Sequence, residues 1–105
     1  MNIIGNTLSA GGGAKPFDGA LLRVTTNVSQ EGTATAFRGS YNFTGKVKHY
    51  NSSSGNCTYY FFIPATAFST SSFMISIETT SYSGTGTIVI STAKEYYLSV
   101  TMNAK

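Results

Sequence analysis

Asn56-Cys57-Thr58-Tyr59-Tyr60-Phe61-Phe62-Ile63-Pro64 is the most apolar stretch of the chain, and its reading decides the fold. Successive side chains of a β-strand point to opposite faces. Residues Asn56 to Ile63 therefore place Cys57, Tyr59, Phe61 and Ile63 on one face and Thr58, Tyr60 and Phe62 on the other. Pro64 lacks the N–H that a ladder needs and stops the strand. One face must be core. The other leaves Tyr60 and Phe62 as an apolar pair that something must cover. The candidates are an N-terminal arm, the Ala65–Ser72 connection, or another subunit.

Working outward, the same alternation recurs on both sides. Toward the N-terminus, Ala20 to Thr26 sets Leu22 and Val24 against Leu21 and Arg23. A Thr-rich strand follows from Thr33 to Arg38, Gly39-Ser40 breaks it, and a third strand runs from Tyr41 to Tyr50. Asn51-Ser52-Ser53-Ser54-Gly55 is the clearest loop. Toward the C-terminus, Phe73 to Thr80 directs Phe73, Ile75 and Ile77 one way and Met74, Ser76 and Glu78 the other. Ser81 to Gly86 reads as a turn. Thr87 to Thr92 points Ile88 and Ile90 inward, Ala93-Lys94 reads as a tight connection, and Glu95 to Met102 aligns Tyr96, Leu98, Val100 and Met102. About seven short strands with regular turns and no helical periodicity predict an all-β, immunoglobulin-like sandwich. Clean alternation, with one wet face per strand, predicts antiparallel sheets.

The 105 residues suit one domain. Residues 1–19, rich in Asn, Ser and Gly around Gly11-Gly12-Gly13, read as a flexible arm ahead of a sandwich over residues 20–105. Ile3, Ile4 and Leu8 are the arm's apolar residues and its candidate docking contacts, alongside Tyr60 and Phe62 on the sandwich.

Charged residues make up only 10% of the chain, against roughly 25% in an average globular protein, so Ser, Thr, Asn and Gly must build the polar surface. The net charge of +3 comes from scattered Lys and Arg. Nucleic-acid binding calls for a concentrated basic face, and the short Lys46-Val47-Lys48-His49 stretch reads instead as a solvated strand end. The single Cys57 excludes an intrachain disulfide and reads as a buried, inert thiol. Its solitude suits folding in a bacterial cytoplasm. Met1-Asn2-Ile3-Ile4 has no signal-peptide pattern, and no apolar run reaches the ~20 residues that cross a bilayer, so no membrane insertion is expected.

Proton-transfer catalysis needs positioned groups that titrate near neutrality. His49 is the one histidine, and Asp18, Glu31, Glu78 and Glu95 are dispersed. No Cys pair, His pair or Asp-rich loop offers a metal site, and Gly11-Gly12-Gly13-Ala14-Lys15 lacks the spacing and flanks of a phosphate loop. The sequence predicts neither an enzyme nor a cofactor. Tyr41, Tyr50 and Tyr82, with Tyr60, are candidate sugar-stacking residues, which keeps a carbohydrate-binding or host-surface adhesion module as the alternative function.

Three segments resemble the β-sandwich modules of tail and other virion proteins from phages and prophages of Gram-positive bacteria. Gly19-Ala20-Leu21-Leu22-Arg23-Val24-Thr25 resembles their opening strand, Asn56 to Pro64 their aromatic strand, and Thr87 to Val100 their final hairpin through a short Lys-Glu-Tyr turn. The resemblance implies a virion structural or accessory protein (a decoration, head-fibre or tail-associated part) made in the host cytoplasm. Its implied partners are other virion proteins and copies of itself, a trimer being favoured on a symmetric particle, with a host cell-surface glycan as a further partner. It carries over no catalytic residue.

Overall fold

The computed structural model describes residues 18–51 and 56–105. The expected arm, with Ile3, Ile4 and Leu8, lies outside the described residues through residue 17. The described chain forms nine strands: β1 (Gly19–Thr26), β2 (Thr33–Arg38), β3 (Tyr41–Thr44), β4 (Lys46–Asn51), β5 (Asn56–Pro64), β6 (Ser72–Glu78), β7 (Tyr82–Val89), β8 (Glu95–Val100) and β9 (Asn103–Ala104). They make two sheets, a four-stranded one in the order β4-β5-β1-β8 and a five-stranded one in the order β3-β2-β6-β7-β9.

The core lies between the sheets and follows the alternation. Leu22 and Val24 of β1, with Cys57, Tyr59, Phe61 and Ile63 of β5, are buried from one side. Ala34 and Ala36 of β2, with Phe73, Ile75 and Ile77 of β6, are buried from the other. Each fully buried Leu, Ile or Phe contributes about 1.5–3 kcal/mol of hydrophobic stabilisation. Cys57 Sγ donates to the Ser29 carbonyl at 3.2 Å. Burial first, and then the negative charge of Glu31, push its thiol above the ordinary value, which suppresses the reactive thiolate.

Several expectations are corrected. The strand expected over Tyr41–Tyr50 is two strands in different sheets, separated at Gly45. Here the chain crosses the end of the sandwich directly over Phe61: a Cβ on Gly45 would sit 2.6 Å from that ring. Gly45 N–H donates to the Ala34 carbonyl at 2.8 Å, which fixes the crossing. This split and the short β9 raise the count above seven.

The turn expected over Ser81–Gly86 is shorter, and β7 already begins at Tyr82. Thr79 organises it. Its N–H donates to the Tyr82 carbonyl at 2.9 Å, and its Oγ1 accepts from the N–H of Tyr82 at 2.9 Å. Gly84 belongs to the strand, where it permits close approach: a Cβ there would lie 2.7 Å from the Thr101 carbonyl oxygen. Glycine inside a strand often marks such a contact.

The sheets are also not wholly antiparallel, because β1 and β8 pair in parallel, Leu21–Thr26 against Glu95–Val100. Alternation reports faces, not strand direction, so it could not reveal this. Alternation does not report the pairing partner either, and the final hairpin expected over Thr87–Val100 is absent: β7 and β8 lie in different sheets. The connection between them is gathered around one hydroxyl. Tyr96 Oη accepts the N–H groups of Ser91 at 2.9 Å, Thr92 at 3.2 Å and Ala93 at 3.0 Å. Burial acts to raise the Tyr96 phenol, but the donors at Ser91, Ala93 and Thr92 outweigh it and hold the group below its ordinary value. Tyr96→Phe keeps the ring and removes the shared acceptor. It is expected to lower stability by about 1–2 kcal/mol, since water can reach part of the exposed donors. The urea midpoint measures this.

Candidate functional site

The outward side chains of β5, β1 and β8 share the exposed face of the four-stranded sheet. Cross-strand register sorts them into rows. Lys46 lies opposite Tyr60, Tyr60 opposite Arg23, and Arg23 beside Tyr97. The neighbouring row runs Phe62, Leu21, Glu95. Phe62 is 65% and Tyr97 63% exposed, the two most exposed large apolar side chains among the described residues.

Arg23 is held between two rings, with its guanidinium carbon 5.6 Å from the Tyr60 centroid and 5.2 Å from that of Tyr97. Arginine stacks on ring faces through their negative quadrupole, by roughly 0.5–2 kcal/mol a contact. Its Nε is buried with no hydrogen-bond partner, so the clamp is held by the rings and not by hydrogen bonds at Nε. Tyr97 Oη donates to Glu95 Oε1 at 3.1 Å and ties off the end of the row. The clamp stiffens three long side chains before any partner arrives, which lowers the entropy cost of docking.

Beside this row an open groove of about 610 Å³ is lined by Leu21, Phe43, Val47, Tyr60 and Phe62, with Thr44 and Lys46. It forms where the chain crosses from β3 to β4 at Gly45, so the glycine that splits the predicted strand also shapes the groove. Tyr60 is half-buried, and Phe62 is exposed. The Ala65–Ser72 connection leaves Phe62 exposed.

The other nominated residues are dispersed. Tyr41 is half-buried in the opposite sheet. Its hydroxyl donates to the Thr66 carbonyl at 3.0 Å, its ring stacks on Phe43 at 6.0 Å, and the Arg38 guanidinium lies 5.3 Å from its centroid. Tyr82 is half-buried at the start of β7, paired with Ala104. The backbone of Tyr50 pairs with Cys57 on β4, and its side chain, like that of His49, lies outside the described ones. Asp18, Glu31, Glu78 and Glu95 are all exposed. Among the described residues no group of three His, Cys, Asp or Glu could hold a metal ion, and no helix is long and apolar enough to cross a membrane.

Arg23 and Tyr97 were missing from the sequence-derived set. The signal for Arg23 was its place in alternation between Leu21 and Thr25, but the ring on its far side comes from β8, and only the parallel pairing supplies it.

Fold and face together define a two-layer β-sandwich with an apolar, cation-clamped outer face on one sheet. No family model matches the chain, no curated protein matches its sequence, and no solved structure matches its fold.

Proposed function

We propose that this chain is a non-enzymatic structural or accessory module of a phage-type virion, which docks through the Phe62 groove onto another virion protein. The observation that carries the reading is the 65% exposure of Phe62 beside a groove walled by Leu21, Tyr60 and Val47. Exposed apolar patches with polar surroundings mark interaction sites. Lys46 and Arg23 flank the groove, and the chain carries a net charge of +3. The partner segment that fits is therefore an apolar anchor with acidic neighbours, because complementary charge sets register and encounter rate.

The strand order supports an immunoglobulin-like assignment. The orders β3-β2-β6-β7 and β4-β5-β1 match those of immunoglobulin domains counted from their second strand. In this reading β8 occupies the place that the first strand takes in an immunoglobulin domain, with the opposite direction. The resemblance of Gly19–Thr25 and Asn56–Pro64 to virion modules points the same way, and the module is made in the host cytoplasm.

Sugar stacking is the weaker reading. A stacking platform needs free ring faces, whereas Arg23 covers one face each of Tyr60 and Tyr97, and Arg38 and Phe43 flank Tyr41. The test adds purified wild type and Phe62→Ser to particles lacking the protein, and to host cell walls. Wild type should load onto particles and Phe62→Ser should load at least tenfold less, with unchanged melting. Loading on cell walls alone, lost in Tyr60→Ala, would replace the virion reading with the glycan one.

A further inference from the structure

The edges of the two sheets are guarded unequally. An uncovered strand edge presents unpaired N–H and C=O groups that can add another strand, and proteins block this with short strands, bulges, Lys, Gly or Pro. The edge strand β3 has four residues and β9 two. The uncovered part of β7 carries Gly84 and Gly86. Edge strand β4 has a register shift between Val47 and His49 and carries two lysines, Lys46 and Lys48.

Among the described residues, the remaining edge, β8, carries no bulge, Gly, Pro or Lys. Glu95-Tyr96-Tyr97-Leu98-Ser99-Val100 pairs with β1 without interruption. Leu21 N–H donates to the Lys94 carbonyl at 2.9 Å. In a parallel ladder the main-chain groups of alternate residues face the same neighbour. Those of Tyr96, Leu98 and Val100 therefore follow Lys94 toward β1, and those of Glu95, Tyr97 and Ser99 face outward.

We propose that β8 pairs antiparallel with β8 of a second copy about a two-fold axis at Tyr97. In this register Tyr97 faces Tyr97 of the second copy, and Glu95 faces Ser99. All three outward-facing residues then meet outward-facing residues, forming about six main-chain hydrogen bonds. No like charges oppose one another, because Glu95 meets a serine. The row Lys46, Tyr60, Arg23, Tyr97 continues into its two-fold-related counterpart in the second copy, so the 63% exposed Tyr97 ring gains a ring neighbour across the axis. Identical edges join in this way only around a two-fold axis, which closes the assembly at a pair and not at a trimer. This inference does not rest on the Phe62 groove, which stays open in the pair.

The register is tested by reversing the sign of one charge. Full-length protein is followed by sedimentation equilibrium, with far-UV circular dichroism and melting to confirm folding. Wild type is expected to dissociate from a dimer on dilution. Ser99→Glu places a carboxylate opposite Glu95 twice and should weaken the dimer about two- to thirtyfold. Ser99→Lys, which meets Glu95 with the opposite charge, should strengthen it over a similar range. Ser99→Pro deletes an outward N–H, leaves the ladder to β1 intact, and should give a folded monomer. A monomeric or trimeric wild type overturns the proposal, as does a shift of both Ser99 charge variants in the same direction.

Discussion

Phe61→Ala is expected to cost about 3–5 kcal/mol of folding stability, whereas Phe62→Ala, one residue along, is expected to stay within about 0.5 kcal/mol. The contrast follows from the strand period. Phe61 is 1% exposed and Phe62 65% exposed on the same strand. Removing the buried ring loses its transfer free energy and leaves a cavity that the surrounding β-sheets close only in part. A domain with a typical stability of about 5–15 kcal/mol would lose a large share of it. Urea midpoints for both variants provide the measurement. Equal losses at the two positions would mean that β5 does not present these faces as described.

That contrast was legible in the sequence because period two is a local property. The inward set Cys57, Tyr59, Phe61 and Ile63 needed only the alternation of β5, and the same held for Phe73, Ile75 and Ile77 on β6. The exposure of Phe62 was legible as a question, since an apolar residue on the outward face needs either cover or a purpose. What local pattern could not carry was the partner of each strand. Tyr41 to Val47 alternates without a visible break, because Gly45 changes sheets and not face period. Thr87 to Val100 reads as a hairpin, because the side-chain acceptor that folds its connection, Tyr96 Oη, resembles any strand tyrosine. The Arg23 clamp depends on β5, β1 and β8 lying side by side, and the middle strand of the three is the first in the chain. Sequence shows which faces are apolar; long-range pairing decides which apolar faces meet.

The second large effect is expected at Gly45, and it is best read as a coupling. A Cβ at this position would lie 2.6 Å from Phe61 Cζ and 2.9 Å from two further ring carbons. The ring is enclosed in the core and cannot swing into solvent, so Gly45→Ala should cost about 1–3 kcal/mol through overpacking. Relaxing the backbone instead would strain the Gly45 hydrogen bond to Ala34, which holds the passage from β3 to β4. Phe61→Leu removes the offending ring atoms at its own cost, within about 1.5 kcal/mol if the site repacks. If the overlap sets the cost, the double variant Gly45→Ala/Phe61→Leu should be more stable than the sum of the single losses predicts, by about 1 kcal/mol or more. Additive losses would locate the cost of alanine in the backbone of the crossing. Because Phe43 and Val47 wall the Phe62 groove on either side of Gly45, the same cycle can be read a second time in partner loading. A backbone cost would shift the groove walls and reduce loading even after Phe61→Leu relieves the ring, whereas a purely steric cost would leave loading restored.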